Sequence, residues 1–300
     1  MEKAIILHNP RAGDEDHKKS DLIELIEEKA YKVGYFSVKK TKGWKKKLEK
    51  AAFAVVAGGD GTVRRIAKEL TKRTILHKQI PMAILPMGTA NNLSKTLAIH
   101  ADRDYNSYLL NWQKKNIQPF DIGIIKVKRK LQFFLEAAGF GLFPLLMKTM
   151  DKIDCSQLKT TQDELIFALE TLHQVVLSAP TQKYEITRNG EICYRGKSLA
   201  IEVLNTPYIG PNLHLGPHAK IDDGLLDIVC IEATQRAEFA DYIQRLLQGK
   251  TTNFFWKTFQ AEALTLKTKD KCLHIDDELV ETTQKNYVFE IRKSALGFLR

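Results

Sequence analysis

The sequence predicts an α/β domain with a parallel sheet over residues 1–118, followed by a β-rich, sandwich-like domain over residues 119–300. Three observations carry this. In the first part, short apolar runs alternate with stretches of helical spacing. Three of those runs end in turns rich in Gly, Asn or Pro. After Pro119 strand follows strand, with two helical stretches between them.

Residues 3–8 read as a buried strand that ends at Asn9-Pro10-Arg11-Ala12-Gly13. Ser20 to Tyr31 is helical, with Leu22, Ile23, Leu25, Ile26 and Ala30 as its apolar stripe. Tyr35 to Val38 is a short strand, and Thr41 can cap the basic helix after it. Phe53 to Ala57 is a strand that enters the turn Gly58-Gly59-Asp60-Gly61-Thr62, and a helix then runs to about Lys72. Pro81 to Leu85 is a strand, followed by Pro86-Met87-Gly88-Thr89-Ala90-Asn91-Asn92. Asn91 or Asn92 can cap a helix through Leu97. A further helix covers Tyr105 to Lys114. Beyond the boundary, 117–127 and 131–138 read as paired strands and Gln162 to Ser178 as a long helix. The remaining strands are 183–188, 191–204, 225–232, 262–268, 272–275 and 286–292, interrupted by a helix from about Ala237 to Gln248. Asn189-Gly190 is a hairpin signal. The last residues are free to return to the first domain.

In a parallel sheet of this type, ligands lie beyond the carboxyl ends of the strands. The turns at 9–13, 58–62 and 86–92 all occupy such ends. The middle one has the chemistry of a phosphate site. Its glycines allow a sharp turn and close approach, and the amides at a helix start attract an anion. Asp60 among those amides repels a phosphate unless a cation intervenes, and Mg²⁺ favours oxygen ligands of both kinds.

Lys and Arg number 46 against 36 Asp and Glu, a formal net charge of +10. That suits an anionic partner such as a nucleotide or an acidic membrane surface. The densest cluster is Lys39, Lys40, Lys42, Lys45, Lys46, Lys47 and Lys50. No nucleic-acid-binding motif accompanies it, so no nucleic acid is expected as partner. Cys155, Cys193, Cys230 and Cys272 stand far apart and predict reduced thiols without structural zinc. His214 and His218 have a spacing that zinc can use, but no clear third ligand. No apolar run approaches the roughly 20 residues of a membrane span, and the N-terminus does not read as a signal peptide. The expectation is a cytoplasmic protein.

Taken together, the ordered motifs resemble the diacylglycerol kinase catalytic-domain family, in particular its bacterial soluble lipid kinases, which are related to sphingosine kinases. The residues that carry the resemblance are Asn9 to Gly13, Gly58 to Thr62, Pro86 to Asn92, Asp222-Asp223-Gly224-Leu225-Leu226-Asp227 and Ile275-Asp276-Asp277-Glu278. The resemblance implies an α/β nucleotide-binding domain of the kind shared with NAD kinases, a β-sandwich-like domain, and an active cleft between them. It implies transfer of the ATP γ-phosphoryl group to a lipid hydroxyl, with Mg²⁺, at a membrane surface touched peripherally. It leaves room for a homodimer.

Carried over residue by residue, the nucleotide site comprises Asn9, Thr41, Gly58, Gly59, Asp60, Gly61, Thr62, Val63, Arg64, Gly88, Thr89 and Asn91. Asp276 matches the general base, Glu278 is the other acid of that motif, and Asp60 serves the metal-bound phosphates. A structural Mg²⁺ would take the Asp223 side chain and the carbonyls of Lys220 and Leu225.

Three departures stand out. Glu136 replaces an Asn and Leu142 an Asp at the start of the second domain. Asp277 replaces a Gly beside the base. Arg64 stands where Asn is common, to contact phosphate or face solvent. Two rival readings remain open here. One is a kinase for a soluble acceptor such as NAD. The other is a catalytically weak regulator that binds nucleotide or membrane.

Overall fold

The computed structural model describes residues 1–14, 17–39, 43–72, 79–99, 105–154, 157–250 and 254–300. It divides into two compact units. Unit 1 is Met1–Phe120 with Ser294–Arg300, and unit 2 is Asp121–Lys293.

Unit 1 alternates strand and helix: β1 (Lys3–His8), α1 (Lys19–Glu27), β2 (Lys32–Ser37), α2 (Trp44–Leu48), β3 (Phe53–Gly58), α3 (Asp60–Leu70), β4 (Met82–Pro86), α4 (Asn92–Thr96) and α5 (Tyr105–Gln113). The strands pair in parallel in the order β2-β1-β3-β4. Both faces of the central strands are covered, as a parallel sheet requires. On one face Ala4, Ile6, Val55, Ala57, Ala83 and Leu85 pack with Leu22 and Ile26 of α1 and with Leu109 and Trp112 of α5. On the other, Ile5, Leu7, Ala54 and Val56 are fully buried. Tyr31, Phe53, Trp112 and Tyr108 form a run of edge-to-face rings at 5.0–5.4 Å, a favoured aromatic geometry.

Unit 2 is mixed. Its elements are β5 (Ile117–Val127), β6 (Lys130–Phe134), β7 (Ala137–Gly141), α6 (Leu142–Met150), α7 (Thr161–Ser178), β8 (Gln182–Arg188), β9 (Glu191–Leu204), β10 (Tyr208–Ile209), β11 (Leu213–His214), β12 (Leu226–Glu232), α8 (Arg236–Leu247), β13 (Lys257–Ala261), β14 (Ala263–Thr268), β15 (Cys272–Ile275), β16 (Glu278–Glu281) and β17 (Asn286–Leu299). The first and last of these strands carry the chain between the two units. β9 is the spine: its first half pairs with β8, and its second half with β7 on one side and β12 on the other, all antiparallel. Period-two alternation along β12 divides the core. Val229 and Ile231 face helices α6, α7 and α8. Leu226, Ile228 and Cys230 face an all-strand layer with Phe140, Tyr184, Tyr287 and Phe289.

Several boundaries differ from the sequence reading, each for a physical reason. The helix α6 was not anticipated. Pro144 obscures it, yet a proline in the first turn of a helix loses no hydrogen bond. The expected strand 262–268 is β14, and β13 precedes it as a strand the sequence reading did not anticipate, separated from it by Glu262. β17 runs past Arg292 to Leu299, where Phe298 pairs in parallel with Met82. The Asn189-Gly190 turn has φ values of 52° and 82°, the two left-handed residues of a tight hairpin.

At the start of α7, the Thr160 hydroxyl accepts from Asp163 N while the Asp163 carboxylate accepts from Thr160 N. This reciprocal cap is local and exposed. Thr160→Ala should lower the unfolding free energy by about 1 kcal/mol, read as a lower urea midpoint at unchanged slope.

Candidate functional site

In unit 1 the three strand-end turns are bound to one another. Asn9 N donates to Ala57 O at 2.9 Å, and Asn9 Nδ2 lies 3.4 Å from Thr62 Oγ1. Met87 N donates to Gly58 O at 3.2 Å. The turns after β3 and β4 touch backbone to backbone. A Cβ at Gly88 would sit 2.4 Å from Gly59 Cα, and one at Gly59 would sit 3.0 Å from Gly88 Cα. Asn91, at φ 51°, turns its side chain back on Gly88, accepting from Gly88 N at 2.9 Å and donating to Gly88 O at 2.6 Å.

The expected cap of α4 is corrected. Neither Asn91 nor Asn92 caps it through a side chain. The cap is Asp60, whose Oδ2 accepts from Asn92 N at 2.9 Å and Oδ1 from Leu93 N at 3.0 Å. The carboxylate thus points at a second helix start, and its position has a cause that needs no cation. Thr62 and Val63 are buried and their amides return to Gly59 O, while Gly59 and Asp60 are half-buried in the turn itself. Arg64 is 6% exposed, so it does not face solvent. Gly61 is exposed, and Thr89 is half-buried in the turn after β4. Thr41 lies outside the described residues.

Sequence reasoning missed His8 at the end of β1. It is buried, its Nδ1 lies 2.8 Å from the Tyr35 hydroxyl, and burial followed by His17 lowers its pKa.

In unit 2 the candidate base is fixed by backbone donors. Asp276 opens the β15–β16 turn at φ 50°, a conformation Asp tolerates better than most residues. Its carboxylate accepts from Leu135 N, Glu136 N and Ala137 N at 2.9–3.2 Å, and Asp276 N donates to Ala137 O at 2.8 Å. Asn205 supports the same strands: its Nδ2 donates to Asp121 O and Leu135 O, each at 2.9 Å. Asp277 and Glu278 are exposed in the turn and at the start of β16. Leu142, one of the departures, is fully buried among the helices.

Beneath Asp276 lies a buried ion pair that no sequence pattern announced. His274 Nδ1 lies 3.0 Å from Asp276 O and its Nε2 lies 2.6 Å from Glu202 Oε2. A carbonyl only accepts, so Nδ1 carries a hydrogen, and one further proton is shared with Glu202. Burial pushes His274 down, but the Glu202 charge and the bonds to Glu202 and Asp276 leave its pKa raised. Burial raises Glu202 against the pull of His274. Glycine at 139 makes room, because a Cβ there would meet Glu202 Oε2 at 2.1 Å.

The loop 220–225 offers oxygen donors. Asp223 Oδ1 accepts from Leu225 N at 3.0 Å, and the buried Asp121, missed in the sequence, accepts from Gly224 N at 2.8 Å. Carboxylates and carbonyls suit Mg²⁺ better than zinc. Among the described residues, no three His, Cys, Asp or Glu side chains gather as a metal cluster, so His214 and His218 gain no third ligand of that kind.

Comparison with known proteins agrees in both halves. Residues 3–125 match the diacylglycerol kinase catalytic domain, and residues 150–296 the YegS C-terminal NAD kinase beta sandwich-like domain. The chain is 24% identical over 262 residues to the diacylglycerol kinase of Bacillus subtilis, covering 84% of this chain and 81% of that one. A candidate diacylglycerol kinase from Bacillus anthracis superposes with a TM-score of 0.75 at 23% identity, covering 99% of this chain and 95% of the other. An NAD kinase from Archaeoglobus fulgidus shares the fold more distantly, with a TM-score of 0.54 at 13% identity over 99% and 93% of the two chains.

Two outcomes follow from this geometry. Gly88→Ala should destabilise unit 1 by about 1–3 kcal/mol, because backbone, not a movable side chain, blocks the added methyl; calorimetry checks this. The buried pair should make stability fall with rising pH. Unfolded, His274 and Glu202 titrate near 6.5 and 4.5, and folding raises both. Above pH 6.5 the folded pair keeps a proton that the unfolded chain releases. Stability is therefore fullest below pH 4.5, where both groups hold their protons in the unfolded chain too, and drops as pH rises, with the His274 share lost above pH 6.5 by up to about 1.4 kcal/mol per unit. Glu202→Gln should flatten this slope in urea melts between pH 6.5 and 8.5.

Proposed function

The chain belongs to the diacylglycerol kinase catalytic-domain family, and from that premise we propose an ATP-dependent lipid kinase that phosphorylates a lipid hydroxyl, diacylglycerol by default. The observation that carries the reading is the interlocking of turns 9–13, 58–62 and 86–92 at the carboxyl ends of one parallel sheet. The curated relative named diacylglycerol kinase supports the acceptor class.

Phosphoryl transfer asks for positioning and charge neutralisation more than covalent work. The turn at Gly59 to Gly61 presents backbone at the start of α3, where the helix dipole favours phosphate. Asn9, Thr62, Thr89 and Asn91 supply polar groups around it, and Arg64 adds a positive charge. Thr41 adds a hydroxyl in the same proposal. Asp60 holds the α4 turn against the glycine turn and would also serve the metal that accompanies ATP. Bound Mg²⁺ supplies charge neutralisation on the phosphates. A separate structural Mg²⁺ would be held by Asp223 and by the carbonyls of Lys220 and Leu225.

Asp276 takes the proton of the acceptor hydroxyl as its oxygen bonds to the γ-phosphorus, the bond to the β-bridging oxygen breaks and ADP leaves. Glu278 keeps a second negative charge beside the base. The three amides on Asp276 hold its carboxylate in one orientation before the acceptor arrives.

No helix among the described residues is long and apolar enough to cross a membrane. The proposal places the enzyme in the cytoplasm with peripheral contact at the membrane that contains its acceptor. A homodimer is compatible with it. The free thiols Cys193, Cys230 and Cys272 support a reducing compartment.

The test is transfer from labelled ATP to diacylglycerol, phosphatidylglycerol or sphingosine in mixed micelles, and to soluble NAD. Labelled lipid is expected. Asp276→Asn should cut the rate by about 10²–10⁴-fold with ATP affinity near normal. Asn can keep its oxygen on the donors that Oδ1 holds, so the variant should fold. Labelled NADP without labelled lipid would move the protein to the soluble-acceptor reading. ATP binding without any product would favour a regulatory role.

A further inference from the structure

Unit 2 carries a charged surface that has no part in the steps above. On the outward face of β8, β9 and β14, an open pocket of about 670 Å³ is ringed by Lys183, Arg195, Lys197, Lys267, Lys269 and Lys285. Strand register sorts these charges into rows. Glu185 stands opposite Arg195 on one side and Lys267 on the other. It binds both, with Arg195 Nη2 at 2.8 Å and Lys267 Nζ at 3.7 Å. That row is partly neutralised from within, one carboxylate against two cations.

The neighbouring row on the same face contains no acid. Lys183 stands directly opposite Lys197, and Lys269 follows Lys267 by two residues, just past the end of β14. Like charges directly opposite across a ladder destabilise a sheet. Lys183, Lys197, Lys269 and Lys285 are all exposed, and none enters an ion pair among the described residues. The arrangement is therefore unfavourable in isolation and becomes favourable when negative charge lies across it.

The form of the surface narrows what supplies that charge. Tyr184, the aromatic residue of the pocket, is buried, with its hydroxyl 3.1 Å from Asp270, so no ring face is offered for a base to stack on. Thr268 is buried and donates to Lys183 O. Among the described residues, no helix start lines the pocket. What remains is a broad sheet face of flexible point charges on long apolar stems, suited to many dispersed phosphates rather than one.

We propose that this β8–β9–β14 face docks on an anionic phospholipid surface. The proposal deepens the lipid-acceptor reading by naming the surface that meets the bilayer, yet its test uses no ATP and reads vesicle binding, not phosphoryl transfer. A failure here leaves the transfer reading standing, and the reverse holds.

The experiment is cosedimentation with vesicles of equal parts phosphatidylglycerol and phosphatidylcholine, against vesicles of phosphatidylcholine alone. The native chain should bind the first, weaken with salt, and ignore the second. Replacing Lys183, Lys197 and Lys269 together by Gln should weaken binding on the order of a hundred-fold, roughly five-fold for each lysine. Replacing Lys45, Lys46 and Lys47 by Gln should change it little. Lys183→Glu alone should lower vesicle affinity and raise the thermal midpoint, since it converts a repulsive pair with Lys197 into an attractive one; misfolding would lower both. The proposal is overturned by absence of binding to phosphatidylglycerol, by undiminished binding of the first triple variant, by loss confined to the second, or by tighter binding to polyuridylate than to vesicles at the same salt.

Discussion

Carboxylates on backbone amides hold the candidate functional loops of both units. Asp60 holds the start of α4, Asp276 holds the 135–137 segment, and Asp121 holds Gly224. Each contact joins residues remote in sequence, so each fixes where a turn sits, not merely how it bends. A charged acceptor makes such a bond roughly twice as strong as a neutral pair, and an amide left without a partner inside a fold is costly. Loops that carry function usually lose order first. Here their geometry is tied to the strands that carry them.

The strand-and-helix rhythm of unit 1 was legible because a parallel sheet buried on both faces writes itself as continuous apolar runs. β1 is apolar from Ala4 to Leu7, and β3 from Phe53 to Ala57. The position of β9 was equally clear, since Asn189-Gly190 marks its start. The buried pair of Glu202 and His274 was not legible. Each residue alone reads as an ordinary strand residue, and only pairing of β7 with β9 and β15 brings them over Gly139. Asp60 shows the converse. Its place in a phosphate-type turn was plain, but its partners lie 32 and 33 residues away, and no local rule connects them.

A carboxylate that is structurally satisfied is not thereby removed from chemistry. A carboxylate has about four lone-pair sites, so amide bonds can fix its orientation and leave acceptor capacity. For a proposed base this is useful. The entropy of orienting the group is removed before the acceptor binds, which is one part of what an enzyme gains from a rigid site. For Asp60 the same bonds account for the position of the carboxylate without a metal. Its role and that of Asp276 are therefore separable by different measurements, metal dependence for one and proton transfer for the other.

Construction from backbone also sets how much sequence change the site can absorb. At position 136 the contact to Asp276 comes from the main-chain N–H, which every residue but proline supplies. Glu136 in place of Asn therefore leaves the clamp on Asp276 intact. At position 277 a glycine is not required either. The left-handed residue of that turn is Asp276 itself, and Asp277 is not among the residues with positive φ. At position 142 the side chain faces the helical core, where Leu is at home and an unpaired carboxylate would be costly. At positions 136, 142 and 277 the backbone contacts and the core accommodate the residues present. The positions where exchange is costly are of another kind: Gly88, where an added carbon would lie 2.4 Å from Gly59 Cα, and Gly139, where it would lie 2.1 Å from the buried Glu202 Oε2.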